Sequence, residues 1–205
     1  MKIEIWADYS CPFCYIGKKT LDDAIQKLGL QDVEIEIKTF LLDPNAPQTT
    51  NQNTLQHLSH KYGVSLQQAR EMTDNVSQMA KRVGLTLDFD RVLPTRTQDA
   101  HRVAKLALET TKDRSIVDRL YRAYFTEGKN LADPNELIQI AKQSGMDENR
   151  VSQLLSSDEK DADIKKDVRE ARELGVTGVP FFRINQTKIL KGAQPLEVFL
   201  KALQP

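Results

Sequence analysis

The sequence predicts an α/β fold in which a small sheet, assembled from both ends of the chain, is interrupted by a large α-helical insertion. Three observations carry this. Residues 2–6 and 32–40 alternate apolar and polar side chains, the period of a half-buried strand, and they flank a helical pattern. Beyond a turn-rich stretch, Asp43-Pro44-Asn45-Ala46-Pro47, apolar positions recur at helical spacing for most of the chain. Residues 179–184 and 188–190 then return to strand character before a last helix carrying Val198, Phe199, Ala202 and Leu203. Neither end can close a core alone, so the sheet domain is expected from residues 1–43 and 175–205, with residues 44–174 as the insertion.

Taken in order, the first strand carries Ile3 and Ile5 against Lys2 and Glu4, and the second carries Val33, Ile35 and Ile37 against Glu34, Glu36 and Lys38. If these strands are parallel, their crossover should be right-handed. In the insertion, Leu55, Leu58 and Tyr62 form a short stripe that stops at Gly63. Ser65 and Gln68 have the spacing of a capping box, and Leu66, Ala69, Met72, Val76, Met79 and Val83 follow as one face. Residues 84–89 read as an irregular or briefly extended connector. A third helix shows Ala100, Val103, Ala104, Ala107, Leu108 and Thr111, and a fourth Ile116, Val117, Leu120, Tyr121, Tyr124 and Phe125. Asp133-Pro134-Asn135-Glu136 starts a fifth, with a cap and a proline at its first position. Two more follow, the last with Ala162, Ile164, Val168, Ala171 and Leu174 as its stripe. Asn185-Gln186 supplies the turn between the final strands.

Composition narrows the function. The chain has 205 residues and a formal net charge of +0, so nothing in it marks a nucleic-acid or anionic-membrane partner. No apolar run approaches a membrane span, and residues 1–5 lack the pattern of a signal peptide. The expected location is the cytoplasm. The two cysteines, Cys11 and Cys14, stand in one motif, so there is no separate disulfide framework.

That motif, Cys11-Pro12-Phe13-Cys14, sits where the first strand gives way to a helix. Two residues wound into a first helical turn let the sulfurs meet without moving the backbone, which makes the pair a candidate redox dithiol of the thioredoxin kind. The helix N-terminus favours a thiolate on Cys11, the expected nucleophile, and Cys14, a turn inward, is the expected resolving thiol. Ser10 is the expected N-cap, and Pro12 fits near the helix start. Asp8, three residues before Cys11, is a candidate proton relay, with a strand-end or capping role as the alternative. His57 and His60 could in principle complete a zinc site with the cysteines. Both, however, are expected to face solvent, opposite the Leu55/Leu58/Tyr62 stripe, so no metal is expected.

Several stretches carry a resemblance. Residues 8–17, Ala100-His101-Arg102, residues 123–128, Gly175-Val176-Thr177-Gly178-Val179-Pro180-Phe181-Phe182, and Gly192-Ala193-Gln194-Pro195 fall in this order across nearly the whole chain. Together they resemble the FrnE-like branch of the DsbA family. The resemblance implies a thioredoxin-like fold interrupted by a helical domain, with thiol–disulfide oxidoreductase or isomerase activity. It makes Val179–Pro180 a candidate cis peptide facing the dithiol. It makes Pro12, Phe13, Val179 and Pro180 the expected substrate contacts, with the Val179 backbone offering hydrogen bonds to an extended peptide or to glutathione. His101 is a candidate cleft residue, against the alternative of a half-buried structural histidine. Expected partners are protein or small-molecule disulfides and thiols; no cofactor is implied beyond the Cys11–Cys14 couple itself, with glutathione a candidate co-substrate. DsbA carries a histidine between its cysteines where this chain has Pro12-Phe13, so a less oxidising couple is expected. It should lie away from DsbA's roughly −120 mV and toward thioredoxin's roughly −270 mV. A related branch holds glutathione transferases of the kappa class and 2-hydroxychromene-2-carboxylate isomerases, which usually have serine at the position of Cys11. A glutathione-dependent isomerase or transferase is therefore the alternative reading, and the presence of both cysteines favours redox chemistry.

Overall fold

A computed structural model describes residues 1–110 and 114–204. Thr111, expected to end the third helix's stripe, lies outside them. In chain order the elements are β1 (Lys2–Ala7), α1 (Pro12–Lys27), β2 (Glu34–Thr39), α2 (Thr54–Tyr62), α3 (Leu66–Arg82), α4 (Gln98–Thr110) and α5 (Ser115–Phe125). There follow α6 (Pro134–Gln143), α7 (Glu148–Leu155), α8 (Asp161–Glu173), β3 (Phe181–Ile184), β4 (Lys188–Lys191) and α9 (Leu196–Leu203). Two compact units result, one of Met1–Leu42 with Lys165–Pro205 and one of Asp43–Ile164.

The first unit holds a four-stranded sheet in the order β2-β1-β3-β4, with β1 and β2 parallel and the other neighbours antiparallel. The β3–β4 turn has φ of 47° at Asn185 and 61° at Gln186, the two positive values that match hairpin twist. The Asn185 side chain also accepts the Lys2 amide at 3.0 Å, tying the turn to β1. Ile3, Ile5, Phe182 and Ile184 are buried, as are Leu21 and Ala24 of α1 and Phe199 and Leu203 of α9. Phe182 and Phe199 meet edge to face, with ring centroids 5.0 Å apart.

The polar positions of β1 and β2 do not all reach solvent as their alternation suggests. Glu4 and Lys38 are buried. Arg183 pairs with both Glu4 oxygens and with Glu170 of α8, and Lys38 lies 3.3 Å from Glu4. Burial works against a charge on Glu4, yet Arg183 and then Lys38 outweigh it and hold the carboxyl below its ordinary range. Trp6 lies between Lys38 and Arg183, each 5.2 Å from its ring centroid, and packs with Ala171, Val176 and Phe181. Its indole N–H donates to the Asp167 carbonyl at 3.3 Å, and the Asp167 carboxylate accepts the Thr39 amide at 2.7 Å. These bonds draw most of α8 into the sheet unit. The division therefore falls at Ile164/Lys165, earlier than the 174/175 boundary expected from the change in periodicity.

In the helical unit, capping boxes at Asn53/Gln56 and Ser65/Gln68 start α2 and α3, and Asp133 and Asp147 cap α6 and α7. One expectation changes here. α3 buries Ala69, Thr73 and Ala80, while Leu66, Met72 and Met79 of the expected stripe are exposed. The inward face of α3 is thus its line of small side chains, at helical spacing, rather than the line of its bulkiest ones. Residues 84–89 are irregular as expected, with Leu85, Leu87 and Phe89 buried and the Asp88 amide bonded to the Phe125 carbonyl. Gly128 follows at φ 67°. A Cβ there would lie 2.7 Å from that of Arg91, so only glycine fits.

Candidate active site

The site is built where β1 runs into α1. Cys11, not Ser10, is the N-cap: its backbone is extended (φ −96°, ψ 108°), and its sulfur accepts the Cys14 amide at 3.3 Å. Pro12 opens the helix, where its missing N–H leaves no bond unmade. The Cys11 amide donates to the Asp8 carbonyl at 3.0 Å, which turns the chain between strand and helix. Asp8, only 1% exposed, places one carboxylate oxygen 3.1 Å from the Ser10 amide and the other 2.7 Å from the Leu42 amide. It thereby clamps the motif to the segment leaving β2. Sequence reasoning did not anticipate Leu42, because nothing in the residues around a donating amide marks it.

The Val179–Pro180 peptide is cis, as expected. The Cys11 thiol donates to the Val179 carbonyl at 3.6 Å, and the Gly192 amide donates to the Pro180 carbonyl at 2.8 Å. The structure thus brings Asp8, Cys11, Cys14, Val179 and Pro180 together. Pro12 and Val179 are half-buried, Pro180 is buried, and Phe13 is 38% exposed. The Gly192–Pro195 stretch, singled out in the sequence without a role, supplies the amide that holds the proline loop.

Both cysteines are in the thiol form, with no disulfide between them, and buried, Cys11 at 3% exposure and Cys14 at 1%, so exposure hardly distinguishes them. Their surroundings do. Burial pushes the Cys14 thiol well above its ordinary pKa, reinforced by its hydrogen bond with Cys11 and by the Cys11 and Asp8 charges; a backbone hydrogen bond at Asp8 opposes this only in part. Cys14 is therefore a protonated thiol at neutral pH. Iodoacetamide at pH 7 should modify Cys11 at least about tenfold faster than Cys14, which should follow only at alkaline pH or on unfolding. Peptide mapping showing equal rates at pH 7 would contradict this assignment.

His101 is on α4 in the helical unit and is buried, rather than half-buried. His60 is exposed and pairs with Gln52 at 2.6 Å, whereas His57, expected to face solvent, is half-buried, with its pKa lowered first by that burial. Among the described residues, no group of three or more His, Cys, Asp or Glu side chains is placed to hold a metal ion.

Residues 2–204 match the DSBA-like thioredoxin domain family. The chain belongs to that family. A probable DsbA oxidoreductase from Streptomyces coelicolor is 34% identical and superposes with a TM-score of 0.94, over 99% of this chain and 88% of that one. The uncharacterized protein YwbO of Bacillus subtilis (strain 168) is 28% identical over 98% of this chain and 94% of its own length. The cytosolic disulfide reductase DsbM from Pseudomonas aeruginosa, solved with GSH, shares the fold at 18% identity and a TM-score of 0.65, over 98% of each chain. The DsbA-like thioredoxin fold expected from the sequence is thus the fold observed.

Proposed function

We propose that this DsbA-like protein is a thiol–disulfide oxidoreductase that works through a Cys11 mixed disulfide resolved by Cys14. The observation that carries the reading is the placement of the Cys11 sulfur. It accepts an amide at the head of α1 and meets the Val179 carbonyl beside the cis proline. An amide aimed at a sulfur stabilises it as a thiolate, both when it attacks and when it leaves.

In the reducing direction, the Cys11 thiolate attacks one sulfur of a substrate disulfide, and the other leaves as a thiolate that takes a proton. Cys14 then loses its proton and attacks the Cys11 sulfur, releasing the second substrate thiol. Substrate gains two electrons, and the Cys11–Cys14 dithiol becomes the disulfide. Asp8, close enough to act on the Cys14 charge, is the group we assign to accept the Cys14 proton. Pro12, Phe13 and Val179 form the partly open rim that meets substrate. The substrates are protein or small-molecule disulfides, with glutathione as co-substrate; a reductase of the same fold solved with GSH supports the latter. We place the protein in the cytoplasm and, on the stretches quoted above, in the FrnE-like branch. No helix among the described residues is long and apolar enough to cross a membrane.

The test is a titration of the Cys11–Cys14 couple in glutathione buffers, followed by Trp6 fluorescence. A reversible two-electron couple is expected, below DsbA's roughly −120 mV and toward thioredoxin's roughly −270 mV. A potential at or above the DsbA value overturns the expectation of a less oxidising couple. Cysteines that never pair, or a Cys14→Ser variant that still turns over a glutathione substrate, would replace this reading with a glutathione-dependent isomerase or transferase.

A further inference from the structure

Building on the oxidoreductase reading, we propose that Gly17 is a positioning residue that sets the spacing between the Cys11 sulfur and the Val179 carbonyl. Gly17 lies inside α1, one turn beyond Cys14, and is buried. Its φ is not positive, unlike that of Gly63 or Gly128, so no left-handed turn requires glycine here. Helix interiors disfavour glycine, and the reason for it must therefore be steric.

A Cβ at Gly17 would stand 3.1 Å from Pro180 Cγ, 3.1 Å from Phe182 Cζ and 3.5 Å from Phe182 Cε2. Carbon atoms sit comfortably at about 3.5–4.0 Å, so a methyl group fits only if something shifts by a few tenths of an ångström. Neither ring is a flexible chain end. Phe182 is fully buried, edge-on to Phe199, and opposite Ile5 in the sheet. Pro180 belongs to the loop whose carbonyl is held by Gly192. α1 must give instead, and it carries both cysteines away from the proline loop.

That displacement separates two properties. Cys11 and Cys14 ride on the same helix head, so their pairing with each other is unaffected. A substrate disulfide must reach Cys11 while its backbone meets Val179 across the 3.6 Å contact, and this needs helix and loop in register.

The experiment compares wild type, Gly17→Ala, Phe182→Leu and the double variant, with a quenched fluorescent peptide disulfide as substrate. For Gly17→Ala, kcat/KM should fall at least tenfold, chiefly through a higher KM. Cys11 alkylation by iodoacetamide and the Cys11–Cys14 equilibrium constant with glutathione should stay within twofold. The double variant, which removes the Phe182 ring, should recover part of the loss and no more, because the 3.1 Å contact with Pro180 Cγ remains. An unchanged KM overturns the proposal, as does an equal loss in all three readouts. If Gly17→Ala does not fold alone, the comparison runs between Phe182→Leu and the double variant. There the remaining Pro180 contact should still raise KM while alkylation and the Cys11–Cys14 equilibrium stay within twofold, and an unchanged KM overturns the proposal. A wild type that exchanges no disulfide sinks the oxidoreductase reading itself. The spacing claim is then decided by the crystal structure of Gly17→Ala, where an unchanged sulfur–carbonyl contact overturns it.

Discussion

Replacing Cys11 with serine is expected to lower disulfide exchange on the order of a thousandfold or more, to the uncatalysed level, because a hydroxyl neither ionises near neutral pH nor forms a disulfide. Replacing Cys14 should do something different. The first attack survives, and the chain then accumulates as a mixed disulfide that nothing resolves. Mass spectrometry after mixing with a peptide disulfide separates the two: Cys14→Ser should carry one peptide per chain and Cys11→Ser none. The asymmetry follows from geometry, since the Cys11 sulfur receives an amide and faces the proline loop while the buried Cys14 is held as a thiol. If Cys11→Ser exchanged at the wild-type rate, or if Cys14→Ser trapped nothing, the assigned roles would be wrong.

Arg102→Ala should be the most damaging substitution outside the dithiol, destabilising the fold by about 3–5 kcal/mol, the range for leaving buried partners unmatched. Arg102 is buried on α4. Its guanidinium donates to the Glu159 carbonyl at 2.8 Å, to the Leu154 carbonyl at 2.7 Å, and to the Ser157 carbonyl, while Asp99 lies at 3.0 Å and Asp161 at 3.2 Å. One side chain thus satisfies carbonyls at the end of α7 and fixes the connection into α8. Lysine cannot reproduce the planar fork, so Arg102→Lys should recover only a minor part. Urea unfolding of the oxidised protein checks both variants, with a melting temperature lower by roughly 10 °C for alanine. A loss under about 1 kcal/mol would mean that water replaces the guanidinium, contrary to this account.

The family match around Ala100-His101-Arg102 drew attention to His101 as a candidate for the site. Arg102, its neighbour, proves to be the bonding hub of that stretch. The difference is instructive. A charged residue within an apolar helical pattern reads as the solvent edge of the stripe. Here its guanidinium donates to a helix end more than fifty positions away, and no local pattern reports such a partner.

Local interactions were legible from the residues alone. The β1-α1-β2 unit, the capping box at Ser65, the Asn185-Gln186 turn and the dithiol at a helix start all depend on residues a few positions apart, whose sterics and hydrogen bonds are written in consecutive letters. The cis peptide at Val179–Pro180 was anticipated by resemblance. Only the tertiary structure decided which partners desolvate which groups. It made Cys11 rather than Ser10 the cap, buried Glu4 and Lys38 beneath α8, and turned Ala69, Thr73 and Ala80 inward instead of Leu66, Met72 and Met79. It also bound Asp8 to Leu42. Each of these outcomes is a competition between burial and pairing among side chains distant in sequence. Periodicity says that a face is apolar; what covers that face, and which charges are buried with it, depends on how the rest of the chain packs.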